Sequence, residues 1–300
     1  MENKKVPTYI IDGGIGKHTM FTSIIPELAK KSPLGRINIC SAYTNAFEYI
    51  DTKYIGVLFG LDVMFGPEFK QYTSEVIHYE PYRSNFGLDG DGHLMKYWCK
   101  GLGVDYDPNT LPLEINVTNS EILEKVQDIV TEHPNFILVQ FTGGQSAIGF
   151  TPEMQYQNNM MQFQRNYQYM FANLLVSKIK KVYPDLTIID YSLPNEHPGY
   201  TDAIRVDLPT IGYAELVKYA KTVIGIDSSL LHFAAAQRKP GIGLWGGCPS
   251  WQFGWNIHKN LTNFNGDPKD FNPMDPYYIS IDSEIIMSEL KGLLNASKTR

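Results

Sequence analysis

One stretch of the chain, Thr222 to Gly247, most narrows the folds that this sequence can adopt. Residues 222–226 form a short apolar run rich in β-branched residues, which predicts a buried strand. Residues 230–237 contain three consecutive alanines and predict a helix that Pro240 ends, and residues 241–245 predict a second apolar strand. This strand–helix–strand order is typical of parallel α/β sheets, and the small alanine face lets the helix pack closely on the sheet.

Two polar residues stand between the first strand and the helix of this unit. Asp227 and Ser228 are both residue types that favour the N-cap position. The helix therefore begins at the carboxyl end of a strand. Its unpaired backbone N–H groups and the positive end of its dipole lie at that edge of the sheet. Open α/β sheets bind phosphate at such places. His232, one turn into the helix, is placed to reach the same anion.

This order of residues resembles the nucleotide-sugar motif of the heptosyltransferase-like glycosyltransferases of family 9. Asp227, Ser228 and His232 occupy the places of the family's Asp, Ser or Thr, and His. Ser229 stands where the family usually has glycine. The resemblance implies that this turn and helix hold the diphosphate of the donor, with Gly246 bordering the same site. An ordinary strand–helix–strand unit with a capping aspartate is the alternative interpretation.

The composition is that of an ordinary soluble globular protein. The chain has 300 residues, of which 43% are hydrophobic and 19% charged, which suits two domains of usual size. Its net charge of −6 gives no global attraction to nucleic acid or to anionic membranes. No apolar run has the length of a transmembrane segment or the pattern of a signal peptide. The three cysteines lack metal-type spacing, and this sparse, odd count favours a cytoplasmic location.

Both halves of the chain open with an apolar strand and a glycine turn. Residues 6–11 predict a strand, 12–16 a tight turn, 19–31 an amphipathic helix and 37–40 a second strand. The second half begins with a strand at 136–141. Further strands are predicted at 54–59, 76–79, 186–191 and 203–206, and further helices at 93–102, 120–131, 159–182, 213–220 and 283–294.

The resemblance to family 9 implies an α/β fold that is GT-B-like, with two Rossmann-type domains facing across a cleft. Residues 1–125 are predicted to form the acceptor-side domain, and residues 126–300 the nucleotide-sugar-binding domain. The crossing between them is expected near residues 112–135, with the helix 120–131 inside it.

The glycine turn after the first strand has three interpretations. As a phosphate loop it is similar to the deviant Walker A motif of ParA- and MinD-like ATPases, but Asp12 replaces a lysine, and His18 stands where a Mg²⁺-binding hydroxyl is needed. In family 9 a similar glycine turn opens the acceptor domain. Here that acceptor-side loop would consist of Gly13, Gly14, Gly16 and Lys17. A Rossmann-like turn without any catalytic group is the third interpretation.

Transfer of a sugar to a hydroxyl group needs a base that accepts the hydroxyl proton. The family's aspartate, its general base, is Lys17 in this chain. Asp12 and His18 are therefore the predicted catalytic residues, because they end the first strand and begin the first helix. The acidic loop 89–93 holds the next candidates, although a solvated loop explains it better.

The donor side of the site is expected at the carboxyl ends of the strands in the second half. In the family a turn after the first of these strands contacts the donor phosphates, although a plain β-turn is the alternative. The aromatic residues at 245–255 either stack on a sugar or base or pack in the core. The predicted donor-binding residues are Thr142, Gly143, Gly144, Asp227, Ser228, Ser229, His232 and Gly246.

The resemblance implies a glycosyltransferase that moves a sugar from a nucleotide-sugar donor to an acceptor hydroxyl. Neither a metal ion nor a cofactor beyond the donor is predicted, because a helix dipole and backbone N–H groups can stabilise the leaving diphosphate. A saccharide acceptor is favoured over a modified DNA base, since DNA binding needs a basic track that this acidic chain lacks. A P-loop-like nucleotide switch and a non-catalytic nucleotide- or sugar-binding protein remain as alternatives.

Overall fold

The computed structural model describes residues 5–83, 92–143, 164–192, 197–267, 270 and 279–297. The chain divides into two compact units, Met1–Thr118 and Asn119–Arg300. All the ladders between the described strands of either sheet are parallel. Parallel neighbours need crossover connections, which the helices supply, so both units have the predicted α/β architecture.

The first unit is built on a four-stranded sheet in the order β3-β2-β1-β4. Its strands are β1 (Val6–Ile11), β2 (Ile37–Ser41), β3 (Ile55–Gly60) and β4 (Thr73–Ile77). Its helices are α1 (Ile15–Phe21), α2 (Ile25–Lys31), α3 (Asn45–Glu48), α4 (Pro67–Tyr72) and α5 (Leu94–Leu102). Because β2 and β4 flank β1 on opposite sides, a topological switch point lies beyond the carboxyl ends of β1 and β4.

The predicted helix 19–31 is wrong in its bounds, since two helices, α1 and α2, occupy this part of the chain. A 3₁₀ turn at Thr22–Ile24 joins them. Pro26 explains the break, because a proline inside an α-helix lacks the N–H and clashes with the carbonyl four residues earlier. In the structure Pro26 lies in the first turn of α2, where the missing N–H has no helical partner to lose.

The second unit is built on a five-stranded sheet in the order β6-β5-β7-β8-β9. Its strands are β5 (Phe136–Gln140), β6 (Thr187–Asp190), β7 (Val223–Gly225), β8 (Gly241–Trp245) and β9 (Lys259–Thr262). Its helices are α6 (Ser120–Glu132), α7 (Tyr169–Val182), α8 (Thr210–Leu216), α9 (Ser229–Ala236), α10 (Ser250–Phe253) and α11 (Ser283–Ser297).

The predicted strand 203–206 is reduced to a single parallel bridge between Ile204 and Ile189 of β6. With this bridge counted as a strand and the strands of the second unit numbered along the chain, their order across the sheet is 3-2-1-4-5-6. This is the strand order of a Rossmann domain. Its switch point lies between β5 and β7. The residues that follow these two strands are 141–143 and 226–228, which include much of the predicted donor site.

The predicted helix 159–182 is interrupted in its described part, because residues 164–165 and α7 from Tyr169 onward are helical but residues 166–168 are not. Tyr167 leaves the helical path, and its N–H donates to the carbonyl of Phe141 at 3.0 Å. Its ring packs against the Phe141 ring with centroids 5.6 Å apart. A contact with a distant strand end thus overrides local helix propensity. Residues 159–163 lie outside the described residues.

Helix α9 is buried along its whole length, and Ala234–Ala236 have no exposed surface. It packs on β7 and β8, as the alanine face predicts. His258 contacts its first turn from outside, with Nε2 2.9 Å from the carbonyl of Leu231. Burial lowers the pKa of His258 to about 4, so this histidine is neutral in the folded protein at physiological pH.

The buried His258 is expected to make the protein less stable in mild acid. Its pKa is depressed in the folded state and is about 6.5 in the unfolded state, so the unfolded chain binds more protons between these values. Its stabilising contribution is complete above about pH 6.5 and decreases by roughly 2 kcal/mol by pH 5. Urea denaturation should therefore show that the free energy of unfolding falls less between pH 7.5 and pH 5 in His258→Gln than in the wild type. The glutamine amide can still donate to the carbonyl of Leu231. Equal losses in both proteins would contradict the assignment.

Candidate functional site

The N-terminus of α9 lies at the switch point of the second sheet. Ser228 is its N-cap residue with extended backbone, but its hydroxyl forms no capping hydrogen bond, contrary to the simple capping role expected for it. Instead the side chain of Gln140, the last residue of β5, accepts the N–H of Leu230 at 3.1 Å. A neutral side chain from the neighbouring strand therefore anchors this helix start.

The turns after β5 and β7 approach each other closely. The N–H of Gly143 donates to the Asn166 side chain at 3.1 Å. A Cβ added to Gly143 would lie 3.0 Å from the hydroxyl oxygen of Ser228, so a larger residue would crowd that oxygen. Ser229 donates its hydroxyl to the phenol oxygen of Tyr191, which follows β6, at 3.0 Å. The residues after three neighbouring strands therefore meet at one place.

Asp227 is the centre of a charged group at this helix start. Its carboxylate lies 3.5 Å from Nε of Arg165 and 3.6 Å from Nε2 of His232. Arg165 also donates to the backbone carbonyl of Asp227. Burial acts to raise the pKa of Asp227, but Arg165 and His232 outweigh it and lower the pKa below the usual value. Asp227 is thus an anion at neutral pH, and it holds the guanidinium of Arg165 and the imidazole of His232 in place.

The structure brings most of the predicted donor-binding residues to the carboxyl edge of the second sheet. Gly246 follows β8 directly, and the next residue, Gly247, donates its N–H to the carbonyl of Gln164 at 3.1 Å. Gly144 lies outside the described residues. We call the following set the α9 site: Thr142, Gly143, Asp227, Ser228, Ser229 and His232.

Several contributors to the α9 site were not predicted from the sequence. Arg165 fell within a predicted helix, and Gln140 was assigned only to the strand core. Cys248 forms a hydrogen bond with Asp227, and burial, followed by the nearby Asp227 charge, raises the pKa of its thiol to about 12. Arg238, just beyond the opposite end of α9, donates to the carbonyls of Ala235 and Ala236. There it complements the negative end of the helix dipole.

In the first unit, four ionisable side chains meet beyond the ends of β1 and β4. We call them the Asp12 cluster: Asp12, Lys17, His78 and Glu80. The ammonium of Lys17 binds Asp12 at 2.6 Å and also Glu80. Nε2 of His78 lies 3.2 Å from the other oxygen of Asp12. The ammonium thus holds two carboxyl groups at the switch point of the first sheet.

The two carboxyl groups of the Asp12 cluster have different environments. The Asp12 side chain is 41% exposed, whereas that of Glu80 is 10% exposed. The hydrogen bond with Glu80, helped by Lys17 and His78, lowers the pKa of Asp12. Burial, and then the hydrogen bond with Asp12, raises the pKa of Glu80. The pair titrates as a unit in which Asp12 is the more accessible and more readily ionised member.

Neither His78 nor Glu80 was predicted as a site residue. His78 fell within the predicted strand 76–79, which ends two residues later than β4, and Glu80 fell in the loop that follows that strand. The acidic residues 89–91 lie outside the described residues, and His93 accepts the N–H of Met95 as the N-cap of α5.

His18, the other predicted base, is fully buried. Its Nδ1 lies 2.9 Å from the carbonyl of Gly14 and its Nε2 lies 3.2 Å from the carbonyl of Ile11. Burial lowers its pKa. A side chain enclosed in this way cannot receive a proton from a substrate hydroxyl, so the structure favours a packing role for His18.

The predicted acceptor-side loop forms the turn between β1 and α1. Gly13 has a φ of 88°, which favours glycine, and a Cβ there would lie 2.9 Å from Cδ of Lys17. Gly14 is the N-cap residue of α1, and Gly16 lies within the helix. This geometry is unsuited to a P-loop, because the Lys17 charge is taken up by two carboxyl groups and His18 faces the interior.

Residues 203–270 match the family model of glycosyltransferase family 9 (heptosyltransferase). The matched region contains β7, α9 and β8, and therefore the Asp–Ser–His motif. The resemblance to family 9 is confirmed. The match supports the prediction of a glycosyltransferase that uses a nucleotide sugar, and the alternatives of a nucleotide switch and of a non-catalytic binding protein are not favoured. No curated protein matches the chain.

Solved structures confirm the GT-B-like fold. A family 9 glycosyl transferase from Veillonella parvula DSM 2008 is 14% identical, with 99% of this chain and 98% of that chain covered and a TM-score of 0.69. The ADP-heptose lps heptosyltransferase II of E. coli is 12% identical, with coverage of 98% and 100% and a TM-score of 0.69. TibC, an iron-containing dodecameric heptosyltransferase from enterotoxigenic E. coli solved with ADP-D-beta-D-heptose, is 14% identical, with coverage of 100% and 78% and a TM-score of 0.58.

The described residues contain no group of three or more His, Cys, Asp or Glu side chains that could hold a metal ion. Within the same part of the chain, no helix is both long and apolar enough to cross a bilayer.

Proposed function

We propose that the enzyme transfers a sugar from a nucleoside-diphosphate sugar to an acceptor hydroxyl without a metal ion. The observation that carries the proposal is the convergence of the residues after β5 and β7 on the N-terminus of a buried, eight-residue helix, α9. Such a helix start offers backbone N–H groups and a positive dipole end to the diphosphate. Arg165 adds a guanidinium beside it.

In this proposal the residues of the α9 site bind the leaving group. Ser228 can donate its hydroxyl to a phosphate oxygen because it does not cap its own helix. Asp227 holds Arg165 and His232 in place rather than touching the anion, since a carboxylate would repel the diphosphate. The bond between the anomeric carbon and the diphosphate oxygen breaks, and the negative charge that develops on that oxygen is stabilised by these donors.

The same proposal assigns the proton of the acceptor hydroxyl to Asp12. As the acceptor oxygen bonds to the anomeric carbon, its proton passes to the Asp12 carboxylate. Asp12 is the exposed carboxyl group of its cluster, and Lys17 and Glu80 fix its orientation. In this proposal Asp12 takes the role of the aspartate that family 9 carries at the place of Lys17.

ADP-linked sugars are the first donors to test, because two of the similar structures are described with ADP-heptose. We propose a saccharide acceptor, for which the acidic charge of the chain is the supporting observation.

Sugar transfer is expected to proceed in EDTA. The enzyme would be incubated with labelled ADP-, UDP- and GDP-sugars and with either oligosaccharides or duplex DNA that carries hydroxymethylated bases. We expect labelled saccharide at a rate unchanged by the chelator. Loss of activity in EDTA that Mg²⁺, Mn²⁺ or iron restores would refute metal independence, whereas label on DNA alone would refute the saccharide acceptor. Absence of transfer and of nucleotide release from every donor would contradict the proposed function itself.

A further inference from the structure

His232 has a partner on the side away from Asp227. The indole N–H of Trp255 donates to Nδ1 of His232 at 2.9 Å. The two rings meet edge to face, with centroids 6.2 Å apart and planes at 87°. Both residues are only 3% exposed. This hydrogen bond is therefore shielded from water, which strengthens it relative to an exposed one.

An indole N–H can only donate, so Nδ1 of His232 must accept with its lone pair. The proton of neutral His232 must then reside on Nε2. That nitrogen faces the Asp227 carboxylate at 3.6 Å. The identity of one tryptophan thus determines which histidine nitrogen carries a proton at the start of α9.

Trp255 is itself held firmly. Its backbone carbonyl accepts the side-chain amide of Asn260 at 3.0 Å and the backbone N–H of His258 at 3.1 Å. The loop between α10 and β9 therefore presents the indole to His232 from a fixed position, and the ring of His232 has little freedom to rotate.

We propose that Trp255 is a positioning residue for the binding of the nucleotide sugar. Its indole holds the Nε2–H of His232 towards Asp227 and the diphosphate. The inference rests on the proposed function for its ligand, but the tautomer it requires is a property of the protein alone. Without the indole N–H, His232 can carry its proton on either nitrogen. Only the Nε2–H tautomer presents an N–H to the diphosphate.

Trp255→Phe removes the N–H and keeps an aromatic ring. Trp98→Phe is the matched control, because the buried indole of Trp98 in α5 donates to the carbonyl of Tyr79 at 3.3 Å and its loss removes the same type of bond in the first unit. Nitrogen-15 NMR of the imidazole rings reports the tautomer, and the His232→Ala variant assigns the signal. Calorimetry with ADP reports affinity.

We expect the wild type and Trp98→Phe to show the Nε2–H tautomer and similar affinity. Trp255→Phe should show a mixture of tautomers and an affinity for ADP about 5- to 30-fold lower, in line with the loss of one hydrogen bond to a charged group. In the His232→Ala background the same change should have no further effect on affinity.

Three results would overturn the inference: an Nδ1–H tautomer in the wild type, an unchanged tautomer and affinity in Trp255→Phe, or an equal loss in the His232→Ala background. The wild-type spectrum decides the first point even if a variant fails to fold. Failure of the proposed function looks different, because ADP would then bind His232→Ala as tightly as the wild type, or would not bind at all, while the tautomer remained Nε2–H.

Discussion

Replacing Asp227 with alanine is expected to weaken the binding of a nucleoside diphosphate about 10- to 100-fold. The carboxylate anchors both Arg165 and His232, and a hydrogen bond to a charged group contributes about 1.5–3 kcal/mol. Each 1.4 kcal/mol corresponds to about a tenfold change in affinity. His232→Ala, which removes one of these two groups, should weaken binding about tenfold. Calorimetry in EDTA measures both.

The matched control for Asp227→Ala is a change at Asp190. This aspartate ends β6 and has the same types of partner, with Nε of Arg205 at 3.0 Å and Nε2 of His197 at 3.4 Å. Its side chain is 1% exposed, and these two partners lie outside the α9 site. Asp190→Asn should lower the melting temperature but leave affinity within about twofold, because loss of a buried ion partner destabilises the fold. Equal affinities for wild type and Asp227→Ala would place the donor elsewhere.

Replacing Asp12 with asparagine is expected to slow turnover by about 10²- to 10⁴-fold while donor affinity is kept, as loss of a general base does. Asparagine keeps the shape of the side chain but cannot accept the hydroxyl proton. Steady-state kinetics should therefore show a lower kcat, and calorimetry an unchanged Kd for the nucleoside diphosphate. Asp51→Asn is the control, because Asp51 also pairs with a lysine, Lys53 at 2.6 Å, but lies outside the Asp12 cluster.

Glu80→Gln distinguishes the two carboxyl groups of the cluster. Glutamine has nearly the same shape and can donate a hydrogen bond to the Asp12 carboxylate, so we expect turnover to fall no more than about tenfold, within the range of one lost hydrogen bond. The reverse order, with Glu80→Gln inactive and Asp12→Asn active, would make Glu80 the base. Full activity in both variants would exclude the cluster from catalysis.

The motif around α9 could be predicted from sequence because its signals are local. The predicted strand 241–245 has the same bounds as β8, and the predicted helix 230–237 agrees with α9 to within one residue at each end. Strand β9 was missed because it is an edge strand with polar residues, such as Lys259 and Asn260, and lacks an apolar run. The break before α2 could be predicted from Pro26. The start of α7 could not, because it depends on the hydrogen bond between Tyr167 and the distant Phe141.

The composition of the sites depends on contacts that no local pattern encodes. Gln140 and Leu230, which are joined at the start of α9, are 90 positions apart in the chain. Lys17 and Glu80 are 63 positions apart, and only the order of strands in the first sheet places them together. The burial of His18 likewise results from packing against Tyr43 and Phe47, with ring centroids 5.2 and 5.7 Å away.

Amide hydrogen exchange with and without ADP, measured in EDTA by mass spectrometry, tests most directly whether α9 holds the donor. Binding slows exchange where backbone N–H groups are engaged or local opening is suppressed. The account predicts slower exchange in peptides that cover residues 141–143 and 226–232, and no such protection in these peptides when Asp227 is alanine. Protection confined to residues 12–19 would contradict it, since the nucleotide would then be bound by the glycine turn of the first unit.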